Sequence, residues 1–234
     1  KKIEERRAIW IHAASVGEIV ATSPLVKDIK REFPEAVVVV SVVTATGHAM
    51  AHRIIPEAEG IIFFPLDLPY LTRKILHIIK PITILLVETE IWPNFLRIAQ
   101  DEKIPVMMVN GRISDRSMRR YKFIRSFTRE MLRSISRFCM QSKFDADYIN
   151  QLGAPIVNIT VTGNMKYDQT YATVTAEEKA ELLDEFGFGN NHPILIAGST
   201  HKGEEDYKII TAKRAMIEGT IMTKVMQEHG YSLD

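Results

Sequence analysis

Residues 37–43 read VVVVSVV, apolar on both faces of an extended chain, which is the pattern of a strand buried on both sides of a parallel sheet. Working outward, short β-branched or apolar runs recur at 8–14, 61–65, 82–87, 105–109, 138–141 and 156–161. Helical stretches lie between them, at 70–79, 92–102, 117–136 and 144–152. Strand and helix alternating in this way predict βαβ units and a doubly wound α/β domain over residues 1–162.

The pattern closes near Thr162. Residues 163–175, GNMKYDQTYATVT, are polar without periodicity and read as a linker or hinge, followed by a helix at 176–186. The stretch 163–191 is thus expected to connect two domains. A fresh strand, HPILIA at 192–197, turns at Gly198-Ser199-Thr200-His201 into a polar helix start, the opening βα unit of a second α/β domain over 192–234. The few residues left after it are too few for a domain of ordinary size.

Composition narrows the function classes. The 234 residues are 46% hydrophobic and 25% charged, an ordinary globular balance. A formal charge of +1 argues against a dedicated nucleic-acid binder, because nothing global collects phosphates. A single cysteine, Cys139, gives neither a disulfide framework nor a cysteine metal cluster, and fits a reducing cytoplasmic setting. No apolar run approaches bilayer-spanning length, and the charged start KKIEERR is not a signal peptide. His48 and His52 are four apart without an acidic partner nearby, so no metal site is expected. The GxGxxG, GxxxxGK[ST] and GxSxG patterns are also missing, which disfavours dinucleotide, P-loop and hydrolase chemistry.

Three strand-to-helix joints carry the candidate site, because open parallel sheets bind ligands beyond the carboxyl ends of their strands. The first is WIHAASVGE at 10–18, where Ser15 and Gly17 let backbone approach a ligand and Glu18 stands at a helix start. Glu18 is either a helix-capping carboxylate or a base that takes a proton from a substrate hydroxyl. Pro24 either opens a later helix capped by Ser23 or kinks one that begins near Glu18. The second joint is VETEIWPN at 87–94, whose Glu88 and Glu90 suit a hydroxyl-rich ligand, with helix capping again the alternative. The third is NGRIS at 110–114, where Arg112 offers a fixed cation to phosphate or carboxylate.

Beyond Arg112 the chain turns basic. Arg125, Arg129, Arg133 and Arg137 recur every four residues as one helical stripe, with Tyr121, Ile124, Phe127, Met131 and Ile135 as the opposite, core-facing stripe. The cationic stripe reads equally as a solvated face or as a contact for anionic lipid headgroups.

Taken in order, WIHAASVGE, VETEIWPN, NGRIS, GNMKYD (163–168) and IAGSTHKGEE (196–205) resemble the motifs of the 3-deoxy-D-manno-octulosonic acid (Kdo) transferases. The resemblance implies the GT-B architecture, two Rossmann-like domains facing across a cleft, with the acceptor on the first and the donor CMP-Kdo on the second. It implies an inverting transfer of Kdo to the lipid A precursor (lipid IVA) that needs no metal, with Glu18 as the general base. Glu88 and Glu90 match the family's second acidic motif. Arg112 and Lys166 match motif positions and, from their charge, suit Kdo carboxylate or phosphate. Ser199 and Thr200 match the first loop of the donor domain, where hydroxyls and amides suit phosphate. The setting implied is the cytoplasmic face of the inner membrane, held peripherally, with Arg125, Arg129 and Arg133 as candidate lipid contacts.

The sequence departs from that family in two places. A membrane-anchoring segment common at the family's amino terminus is not found, and residues 211–234 do not align with its donor domain. Another GT-B glycosyltransferase, or a catalytically silent acceptor- or lipid-binding module, are the competing readings.

Overall fold

The computed structural model describes residues 8–114, 117–118, 121, 125–168 and 175–185. Seven parallel strands form one sheet: β1 (Ala8–His12), β2 (Val37–Val42), β3 (Gly60–Phe63), β4 (Pro81–Val87), β5 (Val106–Gly111), β6 (Arg137–Met140) and β7 (Ile159–Val161). Their order is β3-β2-β1-β4-β5-β6-β7. The chain winds outward one way from β1 and the other way from β4, so the switch point lies between these two strands. Trp10 pairs with Val39 on one side and Ile84 on the other.

The helices are α1 (Val16–Glu32), α2 (Ala45–Ile54), α3 (Pro69–Ile79), α4 (Pro93–Asp101), α5 (Arg125–Arg133), α6 (Lys143–Leu152) and α7 (Ala176–Glu185). Five of them, α1 to α4 and α6, have a local reason to start or stop where they do. Thr44 caps α2 through the Gly47 amide, and Ser142 caps α6 through the Asp145 amide. Pro69 and Pro93 open α3 and α4, where a missing N–H costs nothing. Gly153 ends α6 at φ +117 in the left-handed region.

The α1 helix settles the Pro24 alternatives. One helix runs from Ser15 through Pro24 to Glu32, and Ser23 does not cap a helix start; its hydroxyl donates to the Ile54 carbonyl 2.9 Å away at the carboxyl end of α2.

Alternation along the strands divides the core into two layers. Ile9, Ile11, Val38, Val40, Leu85, Val87 and Val109 pack with Ile19 and Val26 of α1 and Ala51 of α2. Trp10, Ile84, Leu86 and Met108 pack on the other face with Leu76 of α3, Phe95 and Leu96 of α4, and Leu132 of α5. That both faces are sealed is why residues 37–43 carry no alternating polar residue except Ser41, whose side chain is satisfied by Trp10 Nε1 at 2.8 Å.

The chain divides into two compact units, Lys1–Tyr171 and Ala172–Asp234. Residues 163–168, expected to begin a linker, fold back on the first unit as a short 3-10 turn, Met165–Asp168, and the Met165 side chain joins the core beneath α1. Within the second unit α7 is the described element; its amino end is capped by Thr175 and Glu178, each accepting the other's backbone amide. The expected strand at 192–197 lies outside the described residues.

Candidate active site at the switch point

The sequence S15-V-G-E18 folds as a helix-capping box. Ser15 Oγ accepts the Glu18 amide at 3.3 Å and donates its own proton to Glu18 Oε1 at 2.8 Å. The return bond goes one residue further back than usual, with Glu18 Oε2 accepting the Ala14 amide at 2.7 Å. Capping and catalysis are therefore not exclusive here: each carboxylate oxygen uses one lone-pair site on the cap and keeps another. Glu18 is buried at 7% exposure, whereas Ser15 and Gly17 beside it are exposed. A Cβ on Gly17 would meet nothing nearer than Ser15 Oγ at 4.0 Å, so that glycine leaves open space before the helix start.

Burial pushes the Glu18 carboxyl above the usual range, the bonds from Ser15 and Ala14 oppose this, and the Glu88 charge adds to it. A carboxylate serving only as a cap is expected to shift the other way, because the unpaired amides and helix dipole favour its charged form.

The β4 joint supplies the facing acids. Glu88 continues the strand ladder, its amide donating to the Val109 carbonyl at 2.9 Å, and then turns at φ +59. Its carboxylate pairs with Lys166 Nζ at 3.7 Å. Glu90 accepts the Trp92 indole N–H at 3.1 Å, and its carboxyl is raised by burial first and by the Glu18 and Glu88 charges. The fold thus brings Glu18, Glu88, Glu90 and Lys166 together.

Arg112 lies at the same rim after β5, exposed, and its carbonyl accepts the Thr89 hydroxyl, tying the β4 and β5 joints together. Asp67 of the β3–α3 loop caps α4 from outside by accepting the Asn94 and Phe95 amides at 3.1 and 2.7 Å. Beneath, an aromatic block supports Trp92: Phe64 lies 5.3 Å from it and stacks on His12 at 3.9 Å. His12 is sealed, its Nδ1 meets Ser41, and burial lowers its imidazole to about 4, so the ring is neutral near pH 7.

One residue the sequence reading passed over belongs with this group. Asn110 is buried at φ +53, and its Oδ1 accepts the Met165 amide at 3.0 Å. The Asn-Gly pair inside NGRIS was the available signal, since that dipeptide marks left-handed turns.

The cationic stripe requires correction. Arg137 is not on the helix; it opens β6 and donates to Asn158 Oδ1 at 2.9 Å. The buried side of α5 is Thr128, Met131 and Leu132, while Phe127 is half exposed. The helix connects the top of β5 to the bottom of β6, so Arg129 and Arg133 descend away from the acidic rim instead of flanking it. They border an open cavity of about 360 Å³ with Asn150, Gly153 and Ile156. The Arg125 side chain, Ile124, Ser199 and Thr200 lie outside the described residues. Among the described residues no cluster of three His, Cys, Asp or Glu is arranged to hold a metal, and no helix is long and apolar enough to cross a membrane.

A family model described as 3-deoxy-D-manno-octulosonic-acid transferase (kdotransferase) matches residues 1–169. The chain belongs to the Kdo transferase family. Its relatives include a 3-deoxy-D-manno-octulosonic acid transferase of Haemophilus influenzae, 32% identical over 213 residues, covering 90% of this chain and 49% of that protein. A bifunctional glycosyltransferase/methyltransferase of Fusobacterium nucleatum is 34% identical over 91% of the chain and 33% of its own length. The chain thus spans about half the length, or less, of these two relatives. Among solved structures, a Neisseria meningitidis UDP-GlcNAc 2-epimerase bound to UDP-GlcNAc superposes with TM-score 0.54 at 12% identity, covering 77% of this chain and 54% of that one. A glycosyltransferase from Rickettsia africae gives TM-score 0.54 at 12% identity, covering 81% and 52%. At that identity the likeness establishes the fold, the Rossmann-like domain of GT-B proteins.

Proposed function

We propose that this Kdo transferase family chain is the acceptor side of an inverting glycosyltransferase that moves Kdo from CMP-Kdo to the lipid A precursor lipid IVA, with Glu18 as general base. The observation that carries the reading is the Glu18 carboxylate: buried, held by two donors at the switch point, and raised in proton affinity, as suits a group that must take a proton near neutral pH. Glu18 removes the proton of the acceptor hydroxyl while that oxygen bonds to the anomeric carbon of Kdo from the face opposite CMP. The bond from that carbon to the phosphate oxygen breaks, and CMP leaves with the electron pair.

Lys166 and Arg112 supply cations at the same rim for the Kdo carboxylate or an acceptor phosphate, and Glu88 and Glu90 suit sugar hydroxyls. Ser199 and Thr200 are assigned to the donor phosphate by motif. The transfer calls for no metal.

The test is Kdo transfer to lipid IVA by the intact protein, with CMP-Kdo offered against other sugar nucleotides. Transfer from CMP-Kdo alone is the expected result. Transfer from a different nucleotide would favour another GT-B activity, and acceptor binding without transfer would leave a binding module.

Peripheral contact with the cytoplasmic face of the inner membrane belongs to the same reading, through Arg129 and Arg133 and with Arg125 on the same helix. Reversing charge at Arg129 and Arg133 together is expected to weaken binding to vesicles containing anionic lipid by at least about 1 kcal/mol per arginine. Binding that stays at the wild-type level in a vesicle co-sedimentation titration would make the stripe a solvated face.

A further inference from the structure

Asn110 combines two local penalties at the rim. Its backbone sits at φ +53, and its Nδ2 is buried with no hydrogen-bond partner among the described residues. Folding alone gives no reason to keep either, since glycine takes the same backbone without strain and buries no amide. What asparagine adds is one bond, from the Met165 amide to Oδ1 at 3.0 Å, across 55 residues of chain. Its main-chain carbonyl meanwhile accepts from Gln141 Nε2 at 2.9 Å, so the two carbonyl oxygens of the residue are braced by different elements.

Met165 is followed directly by Lys166, whose amide is turned by Asn164 Oδ1 at 3.0 Å and whose ammonium reaches Glu88. Lys166 is 46% exposed and Glu88 24%, so this pair has little worth unless the backbone of the turn is fixed. We propose that Asn110 is a positioning residue for the transfer reaction: by clamping the Met165 amide it holds Lys166 against Glu88 at the rim beside Glu18.

The charged and titratable groups on the described elements around the first turn of α1 are Glu88 and Glu90 after β4, Arg112 after β5, Lys166, Tyr167 and Asp168 in the 3-10 turn, and His48, His52 and Arg53 on α2. His48 stacks on Phe63 and meets His52 edge-on, away toward β3. His12 stacks on Phe64 on the opposite face of the sheet. Glu90 is coupled to Glu18 by charge, and Glu18 is also acted on by Glu88, the residue that Lys166 pairs with. Freeing Lys166 from it leaves that negative charge uncompensated, raises the proton affinity of Glu18, and moves its titration to higher pH.

The inference rests on Glu18 as the base, so its test has a readout that does not need turnover. The side-chain carboxyl of Glu18 is titrated by carbon NMR in wild type, Asn110→Gly, Lys166→Met and the double variant, with Glu18→Gln for assignment. Both single variants are expected to shift the Glu18 midpoint to higher pH by the same amount, and the double variant no further than either. The Met165 amide is expected to exchange at least about tenfold faster in Asn110→Gly and at the wild-type rate in Lys166→Met. Asn110→Asp keeps the left-handed backbone and an oxygen for Met165, and is expected to retain that protection.

An unmoved Glu18 midpoint in Asn110→Gly, additive shifts in the double variant, or lost Met165 protection in Asn110→Asp would each overturn the proposal. In the intact protein the acid limb of the transfer profile is expected to move with the NMR midpoint. Should the midpoint move while the transfer profile does not, Asn110 keeps its positioning role and Glu18 loses the role of base.

Discussion

Replacing Glu18 with glutamine is expected to lower kcat/KM for Kdo transfer by about 10²–10⁴-fold, the usual contribution of a positioned general base. The amide keeps the volume, and its oxygen still accepts from Ala14 or Ser15, but it cannot take a proton from the attacking hydroxyl. Stability is expected to respond in the other direction. Because burial raises the Glu18 carboxyl, its folded-state proton affinity exceeds the unfolded one. That contribution to stability is fully present below the unfolded value and is lost as pH rises through the folded one. At neutral pH the ionised group therefore works against folding, and Glu18→Gln is expected to hold or raise Tm while transfer collapses. A capping carboxylate with no catalytic part gives the reverse pattern: transfer near wild type with a lowered Tm. Thermal melts beside a transfer assay separate the two, and below the folded midpoint wild-type transfer is expected to fade as Glu18 takes up its proton.

The largest loss of stability is expected at Trp10. Its side chain is fully buried, meets Phe95 edge-on with centroids 5.1 Å apart, and donates its indole N–H to Ser41 Oγ at 2.8 Å. Trp10→Ala is expected to cost about 3–5 kcal/mol, from lost transfer energy together with the cavity left between β1 and α4. The damage reaches function as well, since Trp10 lies two residues before His12 on the strand that delivers Ala14 to Glu18. Urea unfolding measures it; a loss under about 1 kcal/mol would be incompatible with a sealed tryptophan at the centre of this core.

Much of this arrangement was legible along the chain. The strands expected at 8–14, 37–43, 82–87 and 105–109 differ from β1, β2, β4 and β5 by at most two residues at an end. Short two-sided apolar runs rich in β-branched residues and bounded by turns read as strands buried on both faces. Where the periodic signal was weak the reading slipped. Residues 156–161 divide into a 3-10 turn, Ile156–Asn158, and the three-residue β7. Arg137 continued the four-residue spacing of Arg125, Arg129 and Arg133, yet it belongs to β6, because spacing cannot register that a helix has ended. The GNMKYD segment read as linker because it is polar and aperiodic, while its attachment depends on Asn110, far away in sequence.

Sequence alone determined that Glu18, Glu88 and Arg112 each stand at the carboxyl end of a strand, since in a parallel sheet every strand-to-helix joint falls on the same rim. It also determined the family, through ordered motifs that no periodicity would produce. Which joints are neighbours was decided only in three dimensions. Pairing β1 with β4, some 70 residues apart, sets Glu18 beside Glu88 and Glu90 and raises the proton affinity of Glu18 and Glu90. The left-handed turns at Glu88 and Asn110 then bring Lys166 to the pair. Local spacing records which residues share a strand or a helix face, but burial and the fields between charges depend on distances that exist only after the chain has packed.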